Sequence, residues 1–328
     1  MGKPQSDFSK IILVTGGSGF IGSNYLNWAV RHYPEYRFIN LDALTYAANQ
    51  KNIEVADQSN YIFIHADIRD QAALEKVWVE YAPTHIINFA AESHVDNSIT
   101  GPSIFVETNI LGTQNLLEIA RRHNLKRFHH ISTDEVYGSL SSTDTPSTEK
   151  DILAPNSPYS ASKAAAEMLV RAYNKTFGLN TVITRASNNY GPYQHGEKLI
   201  PLFITNLLQK KKVPLYGNGK NVRDWLFVGD HVQGIDRVFH DGISGEIYNL
   251  GGGYELENID ITKKLLKLLE LDDAMIEYVT DRQGHDFRYA LDSSKAEKEL
   301  NWKPQKSFEE GLRETIQFYK KELEIQEK

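Results

Sequence analysis

Tyr159 and Lys163 are the first pair whose types and spacing can do chemistry. Apolar residues recur at helical spacing from Ser160 to Phe177, so two positions four apart fall on one helix face. A nearby ammonium stabilises a phenolate and draws a tyrosine toward the working pH range. Such a tyrosine can deprotonate an alcohol while a hydride leaves for a nicotinamide. The same spacing is common by chance, so the pair gains meaning only from its context. A second constellation, Thr133-Asp134-Glu135, follows the apolar run Phe128–Ser132. Two neighbouring carboxyls whose environments differ can divide the work of base and acid; the alternative is that they cap a turn after a strand. Which of the two holds the proton stays open, because they titrate as a coupled pair.

The elements that must position these groups show a rhythm. Short apolar runs at Ile11–Thr15, Tyr36–Leu41, Tyr61–His65, His85–Ala90, Phe128–Ser132 and Thr181–Arg185 read as strands, with helical patterns such as Ser103–His123 between most of them. Alternation of this kind predicts an α/β fold, a doubly wound parallel sheet covered on both faces. Gly16, Gly19 and Gly22 follow the first strand and open a helix. Glycines there allow a tight turn and let backbone amides approach a pyrophosphate at a helix N-terminus. Asp42 closes the second strand and Asp67-Ile68 follow the third. Asp42 is placed to accept from an adenosine ribose and to repel a 2′-phosphate, which favours NAD over NADP. For both aspartates the alternative is helix capping.

Beyond Asn188 the pattern loosens. Helices are expected at Leu199–Lys210, Asp230–His240, Ile261–Leu269, Ser294–Leu300 and Phe308–Glu322, and extended pieces at Val213–Tyr216, Asp224–Val228 and Glu246–Leu250. The expectation is a Rossmann-type NAD-binding domain over residues 1–187, returning near 223–250, and a smaller substrate-binding lobe mainly over 188–328, interleaved with it. The Ser- and Thr-rich stretch Ser139–Lys150 reads as a flexible surface loop.

The 328 residues carry a net charge of -7, which argues against a nucleic-acid surface. Absence of cysteine excludes disulfides, thiolate catalysis and Cys-based metal sites, and fits a reducing, cytoplasmic setting. No apolar run is long enough for a membrane span, and Met1–Lys10 lacks the apolar core of a signal peptide. Gly2 with Ser6 matches a myristoylation pattern, and Asn174-Lys175-Thr176 a glycosylation sequon inside a helix; neither is given weight. His129 and His130 belong to the fifth strand, and no metal site is read.

These features together resemble the extended short-chain dehydrogenase/reductase family, and within it the dTDP-glucose 4,6-dehydratases. The resemblance runs through nearly the whole chain, in residues 44–47, 90–96, 132–138, 157–163, 188–192, 198–201, 223–225 and 281–286. It implies NAD, held by Gly16, Gly19, Phe20, Ile21, Gly22, Asp42, Thr45, Asp67, Ile68, Ala90, Ala91, Ser93, Thr108, Tyr159, Lys163 and Asn189. Thr133 would bond the reacting hydroxyl, Glu135 would be the base at carbon 5 and Asp134 the acid at carbon 6. The substrate side would use His94, Thr133, Asn188, Lys198, Leu199, Pro214, Tyr216, Arg223, Asn258, Asp281 and His285. The implied substrate is dTDP-glucose, and the helices at Ser103–His123 and Ser160–Phe177 would pair in a homodimer.

Alternatives remain open at this point. Arg223 is either a phosphate fork or part of an ion pair, and His94 and His285 are either substrate contacts or ordinary hydrogen-bonded histidines. The chain departs from the family at Gln283, where proline is usual, and at Asn97, where arginine is common. The competing functions are a 4-epimerase, a dehydratase of another nucleotide sugar, and a non-catalytic NAD-binding protein. The adjacent acids argue against simple epimerisation, and the intact reactive set argues against a sensor.

Overall fold

The computed structural model describes residues 8–281 and 285–326. Gly2, Ser6 and Gln283, singled out above, lie outside the described residues.

In chain order the elements are β1 (Lys10–Thr15), α1 (Phe20–His32), β2 (Tyr36–Asp42), β3 (Tyr61–His65), α2 (Gln71–Tyr81), β4 (His85–Asn88), α3 (Val95–Thr100), α4 (Ser103–Phe105), a π-helical stretch (Val106–Gly112), α5 (Thr113–Arg122), β5 (Arg127–Thr133), α6 (Pro158–Phe177) and β6 (Thr181–Ala186). There follow β7 (Asn188–Tyr190), α7 (Leu199–Leu208), β8 (Val213–Tyr216), β9 (Val222–Phe227), α8 (Val228–Asp241), β10 (Ile247–Leu250), β11 (Glu255–Glu257), α9 (Asn258–Leu268), β12 (Ile276–Val279), α10 (Ser294–Leu300) and α11 (Phe308–Gln326).

Seven strands form one sheet in the order β10-β6-β5-β4-β1-β2-β3. The pairs β2–β3, β1–β2, β1–β4 and β4–β5 are parallel. The chain works outward from β1 on one side and then restarts at β4 on the other, the doubly wound topology that alternating strands and helices predicted. The reversal lies between β1 and β4, where such folds bind ligands beyond the carboxyl ends of the strands.

Two compact units divide the chain. The first takes residues up to Ser132, with Ser157–Thr184 and Asp236–Ile247. Its core is built from the strand interiors Leu13, Ile39, Ile86 and Phe128, with Leu116, Leu117 and Val170 from the helices. Each large apolar side chain so buried contributes about 1.5–3 kcal/mol. His129 and His130 are buried in β5, as expected of strand residues; His129 bonds Thr184 Oγ1 at 3.1 Å, and His130 Nδ1 meets the Asn88 amide at 3.2 Å.

The helix expected over Ser103–His123 is interrupted by the π stretch. Widening there brings Asn109 inward, where its side chain accepts from Glu92 N at 2.8 Å and donates to Glu92 O at 3.0 Å and to Ser162 Oγ at 2.8 Å. The wide turn thus fastens the coil after β4 to the start of α6, and π-bulges are frequent at functional sites.

The second unit takes Thr133–Asn156, Arg185–Ile235 and the chain from Tyr248 on. It holds a three-stranded sheet, β11-β9-β7, and a pair, β12-β8, around Ile200, Phe203, Ile204, Ile261, Leu265 and Leu312. The stretch Ser139–Lys150, expected to be a free loop, is pinned instead. Arg288 donates to the carbonyls of Ser141 and Asp144 at 3.1 and 2.8 Å and pairs with Glu255, while the Asn249 amide donates to Ser147 O at 2.9 Å. Polar composition signalled exposure; the distant arginine that satisfies the loop's carbonyls left no local signature. Among the described residues no helix is long and apolar enough to cross a membrane.

Candidate active site

One group of candidate residues lies where β1 turns into α1. Gly16 takes φ +70°, and a Cβ there would sit 2.6 Å from Ala90 N, so only glycine lets this turn pass the chain leaving β4. A Cβ on Gly22 would fall 2.4 Å from Gly16 O, which requires a bare backbone where α1 crosses the turn. Gly19 opens α1 with no side chain capping it, leaving helix N–H groups to a ligand. Phe20 and Ile21 form the first turn.

Asp42 ends β2 and is buried. Its Oδ2 accepts from Ser18 N at 2.9 Å and its Oδ1 from Leu44 N at 2.8 Å. It therefore braces the glycine turn and caps no helix. Burial raises its pKa above the usual carboxyl value, and the two amides pull it back. Each oxygen keeps a lone pair for a ribose hydroxyl. Thr45 is exposed in the coil beyond. Asp67 does not cap a helix either: it accepts from Arg69 N at 2.8 Å and from the Arg69 guanidinium at 2.7 Å, and the cap of α2 is Asp70. Although burial opposes it, the bonds from Arg69 hold the Asp67 carboxyl below its usual range. Ile68 is buried beneath, packed where Gly112 has no side chain. Ala90, Ala91 and Ser93 occupy the coil after β4, and Thr108 lies in the π stretch.

Tyr159 and Lys163 sit in the first turns of α6. The helix is started by Ser157, whose side chain accepts from Ser160 N in a capping box, and by Pro158 at the first position. Both functional side chains are buried, Tyr159 edge-on to Phe105 at 6.3 Å. Lys163 Nζ donates to Ile131 O at 2.6 Å. Burial pushes the ammonium down to about 8, and the Glu167 charge opposes that shift. His94 caps α3, its Nδ1 accepting from Asn97 N at 3.2 Å, a structural task its type alone did not disclose.

A second group of candidate residues belongs to the other unit. A 3-10 turn over Asp134–Tyr137 follows β5, and its cap is Thr133, whose Oγ1 accepts from Glu135 N at 3.3 Å and donates to Asp134 Oδ1 at 3.2 Å. The two carboxyls are thus not spent as caps. Asp134 is 3% exposed, and its Oδ2 has no hydrogen-bond partner among the described residues. Burial drives its pKa well above the usual carboxyl range; Glu135 and Asp224 add to the rise, and Arg223 and the Thr133 bond oppose it. Glu135 is only half buried. The two acids therefore occupy different environments, as a base and an acid require.

Arg223 comes from β9 and is held by carbonyls: Val222 O at 2.7 Å, Asp286 O at 2.9 Å and Phe287 O at 3.3 Å, with its guanidinium over the Tyr289 ring at 4.5 Å. Burial raises the Tyr289 pKa far above the phenol range, and the Glu135 charge adds to the rise. Asp224, the next residue, is buried and accepts from Gly252 N at 3.1 Å and Tyr254 N at 3.0 Å; burial lifts it to about 6.

Asn188 and Asn189 form β7, paired in parallel with β9. Asn189 donates to Ser187 O at 2.9 Å and bonds His231 at 2.8 Å. Asn188 Oδ1, and Oδ1 of Asn258 at the start of α9, are buried without a partner among the described residues. Lys198 and Leu199 open α7. Pro214 and Tyr216 lie in β8; Tyr216 is exposed and edge-on to His285 at 6.4 Å, and His285 Nδ1 bonds Asp281 at 2.7 Å.

Comparison with known proteins places the chain. A family model described as GDP-mannose 4,6 dehydratase matches residues 13–315. A dTDP-glucose 4,6-dehydratase of Haemophilus influenzae is 49% identical over 94% of this chain and 97% of its own length. The chain belongs to the dTDP-glucose 4,6-dehydratase family. Among solved structures, a dTDP-glucose 4,6-dehydratase of Streptomyces venezuelae with NAD and TYD bound superposes with TM-score 0.92 at 49% identity, covering 95% of this chain and 97% of that one. The Bacillus anthracis enzyme in complex with NAD gives TM-score 0.90 at 48% identity, over 96% and 98%.

Within this dehydratase family's fold, sequence reasoning overlooked four residues that shape the site: Asn109, Glu167, Asp224 and Tyr289. Glu167 had a signal, since it repeats the four-residue spacing of Tyr159 and Lys163. Asp224 stood beside Arg223 but was assigned no task. Asn109 and Tyr289 act through partners distant in sequence.

Proposed function

We propose that this chain is an NAD-dependent lyase that converts dTDP-glucose to dTDP-4-keto-6-deoxyglucose and water, for deoxysugar biosynthesis. NAD fits the residues of the first unit: a glycine cradle that a Cβ would fill, an uncapped helix N-terminus, and a buried carboxylate at the end of β2. When bound, it supplies the hydride acceptor and donor.

Tyr159 takes the proton of the carbon 4 hydroxyl as hydride leaves that carbon, with Lys163 stabilising the phenolate. The ketone makes the carbon 5 proton acidic, and Glu135 removes it. Asp134 protonates the carbon 6 hydroxyl, which departs as water. The stored hydride returns to carbon 6 and a proton to carbon 5, so the cofactor ends each turnover oxidised. Thr133 orients the reacting hydroxyl, while Arg223, Asn188, Asn258 and the Asp281–His285 pair hold the nucleotide sugar.

The observation that carries this reading is Asp134. Burial pushes this carboxyl well above its usual range, which favours the protonated form able to donate. A 4-epimerase needs no second acid, and a dinucleotide sensor needs neither. Incubation with dTDP-glucose should give a 4-keto product with no net consumption of NAD; UDP-glucose run alongside should react more slowly. Formation of a 4-epimer, or no reaction with either, would exclude the dehydratase.

We further propose a homodimer. Val106, Leu111, Met168 and Phe177 are large, apolar and exposed on the π stretch and α6, the helices expected to pair. Sedimentation at micromolar concentration should give twice the chain mass; a monomer would refute this. A cysteine-free chain fits a cytoplasmic setting.

A further inference from the structure

Tyr159, Lys163 and Glu167 succeed one another at intervals of four along α6, which lines them on one stripe. Glu167 is completely buried, where a carboxylate persists only if it is paired and hydrogen-bonded. Ser132, buried at the end of β5, donates its hydroxyl to Glu167 Oε1 at 2.5 Å. The residue before it, Ile131, gives its carbonyl to Lys163 Nζ. Successive residues of one strand therefore fix the carboxylate and the ammonium of neighbouring helical turns.

We propose that Glu167 is a positioning residue for the redox step, the fixed counter-charge that keeps Lys163 an ammonium one turn from Tyr159. This rests on the roles proposed above for Tyr159 and Lys163. Burial favours the neutral amine, and Glu167 is the carboxylate that opposes it. Other groups nearby do not take its place. From β5, His130 is coupled to Lys163 and His129 through their charges, and burial holds it well below the imidazole range, hence neutral. The π stretch meets α6 through uncharged Asn109, and its Glu107 pairs with Arg69 at the surface. Glu118 of α5 pairs with Arg121, and Asp96 of α3 is partly exposed.

The test is the pH profile of kcat for the NAD-loaded enzyme carrying Glu167→Gln. Removing a buried negative charge weakens proton binding by both Lys163 and Tyr159, so both limbs should move to lower pH, by about one to two units for Lys163, a helical turn away, at an effective dielectric near 20, and by less for Tyr159, two turns away. Glu167→Asp keeps the charge and should return the limbs toward their wild-type positions even if the maximum is lower. A side chain that merely packs would lower the maximum in both variants and displace neither. Tyrosinate absorbance of the NAD-loaded protein, taken against the same protein with Tyr159→Phe, reads the same proton without turnover and should shift likewise.

If wild type makes no 4-keto product yet the tyrosinate midpoint moves, the dehydratase reading fails and the role of Glu167 stands. If product forms but neither profile nor midpoint moves, the role of Glu167 is refuted alone. Should Glu167→Gln not fold, Ser132→Ala removes the donor that fixes the carboxylate and so loosens its pairing with Lys163. Its profile should move in the same direction by less, and an unmoved profile would overturn the proposal.

Discussion

Replacing Asp134 by asparagine separates the acid from everything else in the site. The amide has nearly the same shape, still accepts from Thr133 Oγ1, and cannot give a proton to a departing hydroxyl. General acid catalysis contributes about 10²–10⁴-fold, so dehydration by Asp134→Asn should fall by that factor. In the proposed reaction oxidation at carbon 4 does not use this carboxyl, so reduced cofactor should build up transiently at 340 nm after mixing with dTDP-glucose. Stability gives an independent reading. A carboxyl whose folded pKa lies above its unfolded value binds more protons in the native state, so it costs stability as pH rises from about 4 through the folded value, at about 1.4 kcal/mol per pH unit. Asp134, buried with its pKa raised, should impose that slope, and Asp134→Asn should lack it. Thermal unfolding of both proteins between pH 4 and 8 should therefore diverge, with the variant gaining relative stability as pH rises. Dehydration within a factor of three of wild type, or parallel unfolding curves, would refute the acid role and the protonated state respectively.

Three further outcomes are expected. Because burial brings Lys163 down to about 8, turnover should decline above that pH as the ammonium is lost, while the stability contributed by this group rises between about 8 and its unfolded value; Lys163→Met should abolish the turnover limb and the stability change together, which kinetics and melting curves check. Gly16→Ala must place a methyl 2.6 Å from Ala90 N at a positive φ, so NAD affinity by titration calorimetry should drop at least tenfold, and a wild-type Kd would disprove the cradle. Arg288→Ala should release residues 139–150 to proteolytic nicking and cost about 2–3 kcal/mol, since four hydrogen-bond acceptors lose a charged donor; an uncut loop would contradict the pinning.

What the sequence disclosed and what it hid follow one physical division. The doubly wound sheet was legible because strand and helix periodicities are local and because glycines at 16, 19 and 22 mark a turn whose geometry only they permit. The residues proposed to react stand out in the sequence for the same reason: Tyr159 and Lys163 share a helix face, and Thr133, Asp134 and Glu135 are consecutive. Hidden were features created by partners far apart in the chain. Asp42 reads as a cap or a ribose acceptor, and only the fold reveals its bond to Ser18 N. Arg288 looks like any surface arginine until the loop it holds is seen across more than a hundred residues. The π stretch leaves the apolar periodicity of its helix nearly intact, so the inward turn of Asn109 was not readable.

The central claim is that one hydride leaves carbon 4 and returns to carbon 6 of the same sugar. Its most direct test is to supply dTDP-glucose deuterated at carbon 4 and to locate the label by NMR. The account predicts deuterium in the carbon 6 methyl group of a 4-keto product, with NAD unchanged in amount. Label retained at carbon 4 in a 4-epimer, or accumulated as deuterated reduced cofactor, would contradict it.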